Sequence, residues 1–345
     1  MVVTLASLPD VTIRTVHWEE CVEYENDAMA WKQAMQLSSI DDDEDPPICM
    51  MIPSPAFQKE VDPLLSGLER VFPSCTIFGG IASTVSSLSR ARVFAYSVGR
   101  PAVVHGSGCV GVILTGDVTV DIRMAQGTKP VGGVYRVVAV GGGAEEGSCS
   151  TISAIVLDDA ATAQEEDMED DIDDDTTVDD TNKRAKLAQE YAKARIPKPP
   201  LAEANFIMRR LSDDDQAFMR RALLIGLENG NSSLPTPNEL ARLAKGEGYR
   251  FTVRQVASAG MKDGSVTFPL GSVNVEVGAR CRFFVRDGEF AKKEVKALWT
   301  GYKQVELEQT LLGEGVNPPT GCFVYPTLDR GTKLFGKPGF ESQGT

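Results

Sequence analysis

Histidine is almost missing from this sequence: His17 and His105 are the only two in 345 residues. So few imidazoles leave little for a histidine-rich metal centre or for general acid–base chemistry at neutral pH. The seven cysteines (21, 49, 75, 109, 149, 281 and 322) contain no CxxC pair, and most lie inside apolar runs. That pattern argues against structural zinc and for reduced thiols packed as small hydrophobes. No apolar stretch reaches the roughly 18 residues of a membrane span, and the opening MVVTLASLPDVTIRTVHWEE has neither a basic start nor an unbroken apolar run. HExxH, a Walker loop, paired-carboxylate spacing and a GxSxG elbow are also missing; around Ser107 the elbow's outer glycines are replaced by His105 and Cys109. The expectation is a non-enzyme with no cofactor, no metal, no nucleic acid and no membrane. A cytoplasmic location is expected, with nucleus and organelle left open because NKRAK (182–186) is too short to settle import.

Bases are absent from two stretches that carry much of the formal charge of −14. Residues 41–45 hold five acids and 158–180 hold thirteen. Without these eighteen, 31 acids face 35 Lys and Arg, so the remaining chain is close to neutral. The segment 164–180 has almost no apolar content and repels itself, so it reads as a disordered linker. Its Asp171, Asp173 and Asp175 begin like a calcium loop, but Thr176 and Asn182 stand where that loop needs glycine and glutamate.

Ahead of this linker the signals are mostly β. ICMMIP (48–53) reads as a buried strand, and CTIF (75–78) as a second one. Between them Val61, Leu64, Leu65, Leu68, Val71 and Phe72 fall at helical spacing, with Pro63 tolerable in the first turn. VTVDIRMA (118–125) alternates apolar and polar residues as a half-buried strand should, and YRVVAV (135–140) and TISAIVL (151–157) continue the sheet. Gly106 to Gly111 matches GxGxxG, but Val112 to Thr115 continue as a β run, not as the helix a dinucleotide site requires.

Beyond the linker, KRAKLAQEYAKA reads as an exposed helix, and Ser212 to Asp215 as the acidic start of another. Strands follow at 249–257, 265–268 and 279–287, then a helix near 294–310. In CFVYPTLDRGTKLFG (322–336) a strand, a Pro-initiated turn and a return strand are expected, with Arg330 at the turn. Alternation sets Arg250 and Arg254 apart from Tyr249, Phe251 and Val253, and Arg280, Arg282 and Arg286 apart from Cys281, Phe283 and Val285. If the two strands pair, these guanidinium groups share one face, either holding a carboxylate or phosphate or meeting surface acids. The fold class expected is α+β: two lobes, each a largely antiparallel or mixed sheet with packed helices, joined by the acidic linker. The boundaries are an N-terminal extension 1–47, a first lobe 48–157, a linker with exposed helix 158–197, and a second domain 198–345.

In order along the chain these loops resemble the FIST domain, a sensory module of bacterial signal-transduction proteins that also occurs in F-box proteins of ubiquitin ligases. IFGGIAS resembles the family's G-G-x-A-S loop through Gly79, Gly80, Ala82 and Ser83. Gln126 to Gly132 resembles its Q-G-C-R-P-I-G turn. LLIGLE (223–228), FFVRD (283–287), and Arg330, Gly331, Leu334, Phe335, Gly336, Pro338 and Glu341-Ser342 resemble its C-terminal domain. The likeness covers roughly 48–157 and 198–342, with a shortened N-terminal part. Thr128 and Thr327 replace the motif cysteines, Asp329 replaces a glycine, and no F-box follows the opening residues. The resemblance implies a non-catalytic sensory module binding a small carboxylate-bearing ligand such as an amino acid. Arg330 and Arg286 would be the anion partners, with Gly331, Gly79, Gly80, Ser83, Gln126, Gly127 and Lys129 completing the site. The alternative is a protein–protein interaction or scaffold protein, a ubiquitin-pathway-like adaptor, that keeps the fold without a working pocket. The oligomeric state is open.

Overall fold

The computed structural model describes residues 7–22, 24, 27–40, 46–82, 90–96, 99, 101–141, 150–158, 196–229, 239–269, 273–313, 319, 321–325 and 330–336. Both acidic runs lie outside them except Asp158, as do the expected helix at 183–194, Ser83 and residues 326–329. The chain divides into two compact units, 1–123 and 124–345. The fold class is α+β, as expected.

The first unit is built on a four-stranded mixed sheet in the order β1-β6-β2-β3. β1 (Val11–Trp18) runs antiparallel to β6 (Cys109–Gly116), which runs antiparallel to β2 (Ile48–Pro53). β2 and β3 (Thr76–Gly79) are parallel, so the chain between them must cross over the sheet, and it does so through a 3₁₀ turn and α2 (Val61–Val71). Leu64 and Leu68 on α2 are fully buried, as their spacing requires. α1 (Ala28–Ala34), capped by Asp27, adds Trp31 to the same core. Gly67 of α2 makes room for it: a Cβ there would lie 2.3 Å from the Trp31 ring. The indole N–H groups of Trp18 and Trp31 donate to Met35 O and Val22 O, so both rings are buried without an unmet donor. The stretch 1–47 thus holds a central part of this core. β4 (Val93–Ala95) and β5 (Val103–His105) form a separate two-stranded ribbon.

The second unit carries a seven-stranded, wholly antiparallel sheet in the order β10-β9-β13-β7-β8-β12-β11. The strands are β7 (Thr128–Gly141), β8 (Thr151–Leu157), β9 (Leu224–Glu228), β10 (Phe251–Gln255), β11 (Ser258–Ala259), β12 (Val266–Thr267) and β13 (Arg280–Arg286). On β13, Cys281, Phe283 and Val285 join one core cluster and Phe284 another, the period-2 pattern of a sheet buried on both faces. α3 (Pro200–Met208) and α4 (Asp213–Arg221) add Ala204, Ile207 and Met219 to the larger cluster. α5 (Glu239–Ala244) packs on α6 (Gly288–Leu311), and the short α7 (Thr332–Phe335) on the start of α6. Among the described residues no helix is long and apolar enough to cross a membrane.

Four expectations change. Residues 128–157 pair with β13 and β12, so they build the sheet of the second unit and not that of the first. Residues 118–125 are not a strand, and Ile122 and Met124 are half exposed because, among the described residues, no neighbouring strand meets that face. Residues 322–325 also lie outside any sheet, with Phe323, Val324 and Tyr325 exposed, and the return strand is the helix α7. Finally, β10 and β13 do not pair, because β9 lies between them.

Candidate functional site

The turn that leads into β7 is where several of the expected residues meet. Gly127 has φ +68°, and a Cβ on it would lie 2.5 Å from Arg330 Nη1, so conformation and space both require glycine. The Gln126 side chain behaves like a strand: its Nε2 donates to Phe251 O (3.0 Å) and its Oε1 accepts from Val253 N (2.7 Å). It thereby caps the free edge of β10. Arg330, nearly buried, donates from Nη1 to Ala125 O (2.9 Å) and lies 5.7 Å from the Phe335 ring.

The partner these groups converge on is a carboxylate of the protein itself. Glu294 of α6 is fully buried. Its Oε1 accepts from Gln126 N (3.0 Å) and from the Tyr249 hydroxyl (2.7 Å), and its Oε2 accepts from Gly127 N (2.7 Å). Arg330 Nη2 stands 3.9 Å from Oε2. Two backbone N–H groups, a hydroxyl and a guanidinium are the set a ligand carboxylate would need, and Glu294 occupies it. Burial pushes the Glu294 carboxyl above its ordinary range, against the opposing pull of Tyr249, the Gly127 N–H and Arg330. Burial, with Glu294 alongside, also raises Tyr249, which stays protonated as a donor.

Glu294 was missed because one glutamate in KKEVKALW looks like a solvated helix residue. A signal was present: Ala291, Glu294, Ala297 and Gly301 are the buried residues of α6, spaced as one helical stripe of small side chains with a single acid in it.

The other expected residues are placed differently. Lys129 Nζ bridges Asp215 (2.9 Å) and Asp287 (3.0 Å), and Asp287 caps α6 by accepting from Phe290 N (2.8 Å). Burial works to lower the Lys129 pKa, but the hydrogen bonds to Asp215 and Asp287 prevail and hold it raised. Arg286 sits opposite Thr128 in the β13–β7 ladder, and Gly331 precedes α7. Gly79 and Gly80 belong to the first unit. Gly79 has φ +144° and a Cβ there would strike Met51 O, while Gly80 N donates to Met51 O and Ala82 N to Pro53 O. These loop N–H groups bond to β2 and are not presented to an anion. Ser83 lies outside the described residues.

Arg250, just ahead of β10, and Arg280 of β13 meet acids. Arg250 Nε donates to Glu228 (2.9 Å), Arg280 to Asp158 (2.8 Å) and Arg136 to Asp158 (2.9 Å), while Arg282 Nε donates to Gly132 O (3.1 Å). Asp158 is buried, although composition placed it in the acidic linker. Burial raises its pKa, but the hydrogen bonds from Arg280 and Arg136 outweigh this and hold it below the ordinary carboxylate range. Beside this cluster lies a cavity of about 420 Å³ lined by Arg136, Glu228, Asn229, Asn274, Glu276 and Arg280 among others. Its mixed charges give it no clear preference for an anion.

Residues 1–149 match the FIST N domain family. The match takes in residues 1–47, which the sequence reading set apart as an extension. Two uncharacterized proteins of Mycobacterium tuberculosis, from strains CDC 1551 / Oshkosh and H37Rv, are each 24% identical to the chain over 273 residues, or 79% of it. The chain spans about half the length of these curated relatives, 52% in each case. No solved structure matches it.

Proposed function

We propose that this chain is a non-catalytic sensory module of signal transduction, with residues 198–342 as the FIST C-terminal counterpart to the matched N domain. The FIST N match over residues 1–149 carries the reading. FIST domains are generally sensory, and the motif order after residue 198 supports the second half.

The finer reading, capture of a small carboxylate such as an amino acid, places Arg330, Gly127 and Gln126 on the ligand. The position of Glu294 favours the alternative at this turn, in which the groups hold the protein's own carboxylate and the signal passes through protein contacts. A thermal-denaturation screen of the full chain against amino acids and organic acids at millimolar concentration separates the two. Binding to the folded state must raise Tm by mass action. The expected result is no Tm rise that depends on Arg330; a saturable rise that vanishes in Arg330→Lys supports ligand capture instead.

A further inference from the structure

The only two histidines of the chain come together in the first unit. His17 lies on β1 and His105 ends β5, strands that pair with β6 and β4 respectively and not with each other. Their rings nevertheless stack with centroids 3.3 Å apart and planes 22° from parallel. Glu19 follows two residues after His17, and one ligand atom from each of His17, Glu19 and His105 lies within 4.8 Å of the other two. Both histidines are half-buried, and Glu19 is exposed.

The surroundings are built for this arrangement. Gly108 has φ +97°, and a Cβ there would come within 2.6 Å of His17 Nε2, so the 106–108 turn closes onto the ring only because it is glycine. His17 Nε2 stands 3.3 Å from Ser107 O. A carbonyl only accepts, so a hydrogen bond here has Nε2–H donating, which assigns Nδ1 as the nitrogen for a metal. A backbone carbonyl behind a ligating imidazole is the usual device that fixes tautomer and ring orientation in metal sites.

We propose that His17, His105 and Glu19 form a binding site for a divalent transition-metal ion of the zinc type. Two imidazole nitrogens and one carboxylate oxygen suit zinc, cobalt or nickel; calcium and magnesium prefer all-oxygen sets. Tetrahedral zinc with bonds of about 2.0–2.2 Å needs ligand atoms roughly 3.3–3.6 Å apart. Imidazole lone pairs lie in the ring planes, so binding also requires the near-parallel stack to open, one half-buried ring turning until both nitrogens and the exposed Glu19 carboxylate meet the same ion. Three protein ligands leave a fourth position for water or a small ligand, the pattern of an open site. The proposal stands independently of the sensory reading.

Equilibrium dialysis of the full chain against Zn²⁺, with Co²⁺ absorption as a second readout, tests it. His105→Phe is the informative variant, since a phenyl ring retains the stack on His17 and lacks a lone pair; Glu19→Gln changes an exposed group. The expected result is one tight Zn²⁺ per chain, weakened at least about tenfold in either variant at unchanged Tm. The visible Co²⁺ bands should disappear in His105→Phe. Any binding by the acidic runs should be weak and equal in all three proteins. No saturable tight binding by the wild type, or the same affinity in both variants, would overturn the proposal.

Discussion

Glu294 shows at the level of one residue why a sequence motif and its use separate. Gln126, Gly127 and Arg330 were legible as a turn and an arginine suited to a carboxylate. The carboxylate that fills the site comes from a helix 167 residues beyond Gly127, and only a stripe of small residues hinted at it. Removing one member of a buried ion pair is far more costly than removing both, because the survivor is left uncompensated. A double-mutant cycle of Glu294→Gln and Arg330→Met, read by urea unfolding, should therefore give a coupling of about 0.5–3 kcal/mol. Asp158 makes a pH prediction. Its folded pKa lies below the unfolded value of about 3.9, so its stabilisation is fully present above that value and is lost as pH falls through the folded one. The unfolding midpoints of wild type and Asp158→Asn should differ by a constant amount from pH 5 to 7, then converge below about pH 4. Convergence as pH rises would reverse the assignment.

Elements with strong internal periodicity are legible in the sequence. α2, β2 and β13 follow from their apolar spacing, and Ser212 caps α4 by accepting from Asp215 N, as its acidic start implied. The failures share a cause: 118–125 and 322–325 have strand-like residues but, among the described residues, no partner strand to supply ladder hydrogen bonds, and pairing is not a local property. The same holds for the arginine strands, where β9 inserts between β10 and β13 and supplies Glu228 to both Arg250 and Arg280. Helix packing gives the element-scale prediction. At Gly301 of α6 a Cβ would lie 2.0 Å from Leu243 O and 2.8 Å from Gly246 N, backbone atoms that cannot swing aside. On an exposed helix Gly→Ala gains about 1 kcal/mol. Here overpacking of about 1–3 kcal/mol should win, so Gly301→Ala lowers the urea midpoint. A raised midpoint would mean that α5 and α6 do not pack this closely.

For the whole molecule, local periodicity sufficed for an α+β chain, and composition for an acidity concentrated in two runs. It did not suffice for the division at 123/124, because 128–157 looks like a continuation of the first sheet until its partners are known. Nor did it reveal that residues 1–47 carry Trp18 and Trp31 into the first core. In the resting molecule the Gln126–Gly127 turn already grips the protein's own carboxylate. Amide hydrogen exchange at those two positions tests this most directly. If both N–H groups donate to buried Glu294, they exchange slowly in the ligand-free full-length chain, and they speed up in Glu294→Ala while the β7 and β13 amides stay protected. Rapid exchange in the wild type, slowed on adding an amino acid, would contradict the claim and restore an open carboxylate site.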